Sequence, residues 1–97
     1  VTVENGRVTR LELSNNALLG ALPSFVAELQ ALRVLDVSGN QLSGTVPSSI
    51  ASITTLEVMR FRRNNFSGAF PALATNASLQ VFDIGQNRFV GDIPRGL

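Results

Sequence analysis

Apolar residues return along this chain at one phase. Counting units from Val8, Leu32, Leu56 and Leu79, position 4 is Leu11, Leu35, Met59 and Phe82, and position 6 is Leu13, Val37, Phe61 and Ile84. Position 11 is Leu18, Leu42, Phe66 and Phe89; position 15 is Leu22, Val46, Phe70 and Ile93. The apolar–polar–apolar alternation at positions 4 to 6 predicts a short strand with one buried face. Three other residue types keep the same period. Pro23, Pro47, Pro71 and Pro94 are 24, 24 and 23 residues apart, and Gly20, Gly44, Gly68 and Gly91 each precede one of them by three. Asn16, Asn40, Asn64 and Asn87 fall at position 9. Such self-similarity is the signature of a stacked repeat, in which no unit buries its own apolar edge and the neighbours complete the core.

The period predicts a cap over residues 1–7 and units over 8–31, 32–55, 56–78 and 79–97, the last incomplete. Every unit runs the same way, so the strands stack in parallel. The asparagines sit where each strand ends. Aligned in register, their amides can form a ladder on backbone groups of their own and the neighbouring coil. Glycine admits backbone shapes closed to other residues, and proline stiffens entry into the return segment. In one such return, Ser48 to Thr55, the spacing of Ile50 and Ile53 suits a short helical turn. Val1 to Val3, then Glu4-Asn5-Gly6-Arg7, then Val8 to Leu11 reads as strand, turn, strand, since Asn-Gly is a strong hairpin signal. The first strand is expected to cover the edge of the sheet. Phe61, Phe66, Phe70, Phe82 and Phe89 take core phases and read as packing residues; Phe25 lies off that phase.

Written out, the unit is L-x-x-L-x-L-x-x-N-x-[LF]-x-G-x-[ILVF]-P. It resembles the leucine-rich repeat, and its L-x-G-x-[IV]-P extension resembles the plant-type extracellular class. The resemblance spans residues 8–97 and implies an α/β solenoid: four stacked units of about 24 residues, a parallel concave sheet, and short helical or 3-10 convex returns. The N-terminal segment is similar to the family's cap but has Val3 near where a cysteine is expected. This departure fits either an excised segment or a relative outside plants. The last unit stops before its return is complete, which reads as a piece of a longer protein.

Composition narrows the chemistry. With 44% apolar and 15% charged residues the chain falls in the globular class. A net charge of +1 gives no case for nucleic acid as a partner. Cys and His are both absent, which removes the usual zinc ligands, thiol nucleophiles and imidazole bases. No cofactor or metal is expected. Asp36 and Asp83 are the best acidic pair. They stand two strands apart, about 9.6 Å, a distance compatible with an inverting glycosidase. Arg60 between them would keep both ionised, so enzyme activity is not expected.

One basic cluster stands out, Arg60, Arg62 and Arg63, in a chain with no lysine. In the repeat register, positions 3, 5, 7 and 8 face the concave side. Position 5 reads Glu12, Asp36, Arg60, Asp83, which predicts an acid–base–acid ladder neutralising Arg60. Arg62 and Arg63 stand beside Ser38, Gly39, Gly85 and Gln86, with Asp83 in diagonal reach of Arg62. They read either as solvated charge or as a site taking a carboxylate or sulfate bidentately. The resemblance adds that some plant receptor kinases hold a peptide's C-terminal carboxylate with an R-x-R pair, the spacing of Arg60-Phe61-Arg62. The sequons Asn65-Phe66-Ser67 and Asn76-Ala77-Ser78 are possible glycan sites, with Asn76 the more accommodating.

The resemblance implies a protein- or peptide-binding module at the cell surface, as part of a receptor-like kinase ectodomain whose parent crosses the membrane once. It also admits a secreted inhibitor of wall-degrading enzymes. A structural or adhesive surface protein is the third reading. Lateral contact with a co-receptor could use Leu19 and Val90, and self-association the open C-terminal end of the solenoid.

Overall fold

The computed structural model describes residues 1–71 and 78–91. Pro94, Ile93 and Asn76 lie outside the described residues. The chain winds into a solenoid carrying two sheets. The concave sheet has the order β1 (Thr2–Glu4), β2 (Arg7–Glu12), β4 (Val34–Asp36), β6 (Val58–Arg60) and β8 (Val81–Asp83). β2, β4, β6 and β8 are parallel, with Leu11, Leu35, Met59 and Phe82 in one row. β1 pairs antiparallel with β2 and closes the sheet edge. Its turn carries Asn5 at φ 52° and Gly6 at φ 75°, the left-handed pair that a two-residue hairpin favours.

The second sheet is absent from the sequence reading. β3 (Leu19–Ala21), β5 (Gln41–Gly44), β7 (Asn65–Gly68) and β9 (Arg88–Phe89) pair in parallel on the flank of the solenoid. Neighbours are staggered: Leu19 stands beside Gln41, Ser43 beside Asn65, and Ser67 beside Arg88. Gly44 and Gly68 end their strands, Gly20 lies within β3 and Gly91 just past β9; all four have left-handed backbone, φ 73–89°, a region where a Cβ is strained. The helical content of the described returns is 3-10: Ser24–Glu28 and Ser48–Ser52, each entered from a proline. Ile50 and Ile53 are fully buried there.

The core lies between the layers. Leu35, Val37, Met59, Phe61 and Phe66 are at most 1% exposed, whereas Leu11, Leu13, Phe82 and Ile84 are only half buried. Middle coils have neighbours on both sides and outer ones on one, as stacking requires. Phenylalanines fill the later coils: Phe61–Phe66 at 5.4 Å, Phe70–Phe82 edge-on at 5.1 Å and Phe70–Phe89 edge-on at 5.4 Å, separations at which offset or edge-on rings attract.

The asparagines hold coil to coil. Asn40 accepts from the backbone N–H groups of Asn16 and Leu18 (2.9 and 3.0 Å), and its Nδ2 donates to Leu13 O (3.0 Å) and Val37 O (2.8 Å). Asn64 accepts from Leu42 N and donates to Val37 O and Phe61 O. Asn87 accepts from Phe66 N and donates to Phe61 O and Ile84 O. Each amide bonds backbone groups of its own and the preceding coil, and Val37 O and Phe61 O each accept from two of them. Asn16 begins the row, with its Nδ2 on Ser14 O.

Candidate functional site

Alternation along the strands turns Leu35, Met59 and Phe82 inward. The residues on either side therefore face the concave surface, where Asp36, Arg60 and Asp83 stand in one cross-strand row. The expected ion ladder does not form. Among the described residues Arg60 makes no ion pair within 4.0 Å. The reason is local. Asp36 Oδ1 accepts from Ser38 N (3.0 Å) and Ser38 Oγ (2.6 Å), and Asp83 Oδ1 accepts from Gly85 N (3.0 Å). Both carboxylates bend along their own chain onto the residue two positions on, the habit of aspartate at a turn.

Arg62 instead takes the diagonal. Its Nη1 donates to Asp83 Oδ1 at 3.1 Å, in a pair that is half exposed on both sides. Gly85 makes room: a Cβ there would overlap Arg62 Nη1 and lie 3.1 Å from Cζ. On this face Arg10 reaches Glu12 at 2.8 Å; just before the strands, Arg33 reaches Glu57 at 3.1 Å. The Glu57 hydrogen bond, and secondarily its charge, raise the Arg33 pKa.

Arg63 sits in left-handed backbone, φ 62°. Its counterparts at the same phase do too: Asn15 (φ 55°), Gly39 (φ 68°) and Gln86 (φ 53°). Every coil turns off its strand this way. Glycine and asparagine suit the turn, and arginine is an expensive choice for it. The sequence hinted at this only through Asn15 and Gly39, because the phase has no common residue type.

Together these turns and strands shape a shallow depression of about 170 Å³, lined by Arg60, Arg62, Arg63 and Asp83 with Asn15, Ser38 and Gly39. Three guanidiniums face one carboxylate. The arrangement can hold a partner's anion by charge-assisted hydrogen bonds. A second depression of about 270 Å³ adjoins it across Arg60, with Arg10, Glu12, Val34, Asp36 and Val58. Among the described residues no three acidic side chains cluster as a metal site would need, and no helix is long and apolar enough to cross a membrane. Asn65, first residue of β7, is exposed on the flank sheet beside Ser43 rather than over the concave face. Leu19 and Val90 are 74% and 64% exposed, but they stand at opposite ends of that sheet, with Ser43 and Ser67 between them.

Known proteins agree with this architecture. The Leucine Rich Repeat family model matches residues 7–29 and 31–53. No curated protein matches the chain significantly. Among solved structures, a chain of the BIR3–SERK2 complex from Arabidopsis thaliana is 34% identical with a TM-score of 0.86, over 92% of this chain and 48% of that one. The ectodomain of the Arabidopsis thaliana receptor kinase SOBIR1 is 36% identical with a TM-score of 0.82, over 86% of this chain and 46% of that one. That of the membrane receptor kinase GASSHO1/SCHENGEN3 from the same plant, in complex with CASPARIAN STRIP INTEGRITY FACTOR 2, is 29% identical with a TM-score of 0.81, over 90% of this chain and 11% of that one. The chain thus spans about half the length of the first two and a ninth of the third. With its repeat, its two-sheet solenoid and these neighbours, the chain has the leucine-rich-repeat fold and resembles the ectodomains of plant receptor kinases.

Proposed function

We propose that the chain is a non-catalytic recognition module which takes a peptide or protein segment on its concave face, gripping an anionic group with Arg60, Arg62 and Arg63. One observation carries this reading: three arginines line one depression and only Asp83 opposes them. The receptor-kinase neighbours, one of them bound to a partner factor, favour an extracellular ectodomain over a secreted inhibitor or an adhesive array. In that setting Asn65 is an exposed glycan acceptor on the flank. The intact mass of secreted wild-type chain, compared with Asn65→Gln, checks its occupancy.

The test of the site is a peptide array displayed both with free carboxylates and as C-terminal amides. Wild-type chain should prefer free-acid peptides. The double variant R62A/R63A should lose that preference by about 10-fold or more, the value of one to two charge-assisted hydrogen bonds. Equal binding by both proteins would remove the arginines from the site.

A further inference from the structure

The first coil leaves an apolar surface open at its end of the solenoid. Of five exposed large apolar side chains among the described residues, four stand there: Val1, Val3, Leu19 and Phe25. A cleft of about 250 Å³ opens beside them. Leu11, Leu13, Leu18 and Leu22 lie within it, the exposed Leu19 and Phe25 stand at its rim, and every lining residue is apolar. β3 borders this cleft and is an edge strand, paired only with β5. Its three residues, Leu19, Gly20 and Ala21, are all exposed. Natural edge strands are commonly protected by charge or by a cover. β9, the edge at the other end, carries Arg88, whereas β3 carries no charge. An uncharged edge beside an apolar cleft marks an interaction surface.

We infer that this end is a self-association surface, on which a second copy of the chain docks about a two-fold axis. The surface carries both halves of an apolar fit: an open cleft, and Leu19 and Phe25 beside it to enter the same cleft on the other copy. It also carries both halves of an ionic fit. Arg7 and Glu28 line a second cleft at this end, about 410 Å³ in volume, together with Val8 and Leu29. Neither is in an ion pair among the described residues, and a two-fold contact can set Arg7 of one copy against Glu28 of the other. A surface complementary to itself in shape and charge makes an isologous contact. β1 excludes the alternative of end-to-end stacking. It already occupies the concave edge, antiparallel to the repeat, so another copy cannot add there as a further coil. The flank edge stays open, and a two-fold joins it to its counterpart antiparallel. A Cβ at Gly20 would meet nothing within 4 Å, so the two backbones have room to approach. The surface lies apart from the concave arginines and does not depend on them.

Sedimentation velocity of the full chain over a concentration series is the test. Wild type should show a monomer–dimer equilibrium that stops at the dimer, since a two-fold contact closes. L19D and F25D, which put a carboxylate into the apolar fit, should each raise the dissociation constant by about 10-fold or more. V90D, at the other end, should leave it at the wild-type value. R7E should weaken the dimer, and the swap R7E/E28R should restore it. The chain has no cysteine, so L19C treated with oxidised glutathione should give a disulfide-linked dimer and V90C should not. That readout holds even where F25D lowers folding. A chain monomeric at every concentration would leave this surface to some other partner and overturn the inference. So would assemblies that grow without limit, the mark of a head-to-tail contact. A dimer that V90D dissociates and F25D does not, or a swap that associates more weakly than R7E alone, would overturn it too.

Discussion

The coils built from residues 32–55 and from 56 onward share a backbone, a register and an asparagine ladder, yet differ on both faces. Inside, the earlier coil places Leu35, Val37, Leu42 and Val46 where the later one places Met59, Phe61, Phe66 and Phe70, all buried. Outside, Asp36, Ser38 and Gly39 give way to Arg60, Arg62 and Arg63. The inward exchange is large in volume and leaves the strand register unchanged, because both sets are apolar and each packs against its own neighbours. The outward exchange touches no core contact and reverses the local charge. Stacking thus constrains one face of a strand and leaves the other free to carry recognition.

Truncating the inward face should have the largest effects. Phe61→Ala should destabilise the chain by about 3–5 kcal/mol, since Phe61 is fully buried against two other rings. Val37→Ala should cost less in the same denaturant titration, as fewer buried atoms are removed. A loss at Phe61 below that at Val37 would mean that the aromatic coil is loosely packed. The ladder comes next. Asn64→Ala strands Leu42 N and leaves Val37 O and Phe61 O with one amide donor each, Asn40 and Asn87, and should cost about 1–3 kcal/mol. Asn16→Ala removes only an exposed bond to Ser14 O and should cost less; equal losses would argue against coil-to-coil stapling.

Outward substitutions should be small and of either sign. Arg63→Asn relieves left-handed strain and should stabilise the chain by about 1 kcal/mol while weakening anion binding. Melting and binding measured on one sample check both halves; a destabilised variant would contradict the strain argument. Smallest of all, Asp83→Asn should change stability by less than about 1 kcal/mol, as expected for a half-exposed pair.

Much of this organisation is written in the residue pattern. The hairpin turn follows from Asn5-Gly6, the ladder from the phase of Asn40, Asn64 and Asn87, and the convex turn from Ile50 and Ile53. The flank sheet was hidden because Gln41 to Gly44 holds a single buried apolar residue and ends in glycine, too little alternation to read as a strand. The ion pairing was hidden for a different reason. Cross-strand register brings Asp36, Arg60 and Asp83 level, but the partner is chosen by side-chain details: the aspartates turn to Ser38 and Gly85, and the missing Cβ of Gly85 lets Arg62 through. Three left-handed turns at Asn15, Arg63 and Gln86 likewise belong to the backbone path rather than to any shared residue type.

The most direct measurement is the ratio of affinities for the free-acid and amide forms of one array-selected peptide, taken on wild type and on R62A/R63A by calorimetry. Wild type should favour the acid by about 10-fold or more, and the double variant should bring the ratio close to one. A ratio unchanged by removing both arginines would show that the third coil's basic face is solvated charge and that recognition lies elsewhere on the solenoid.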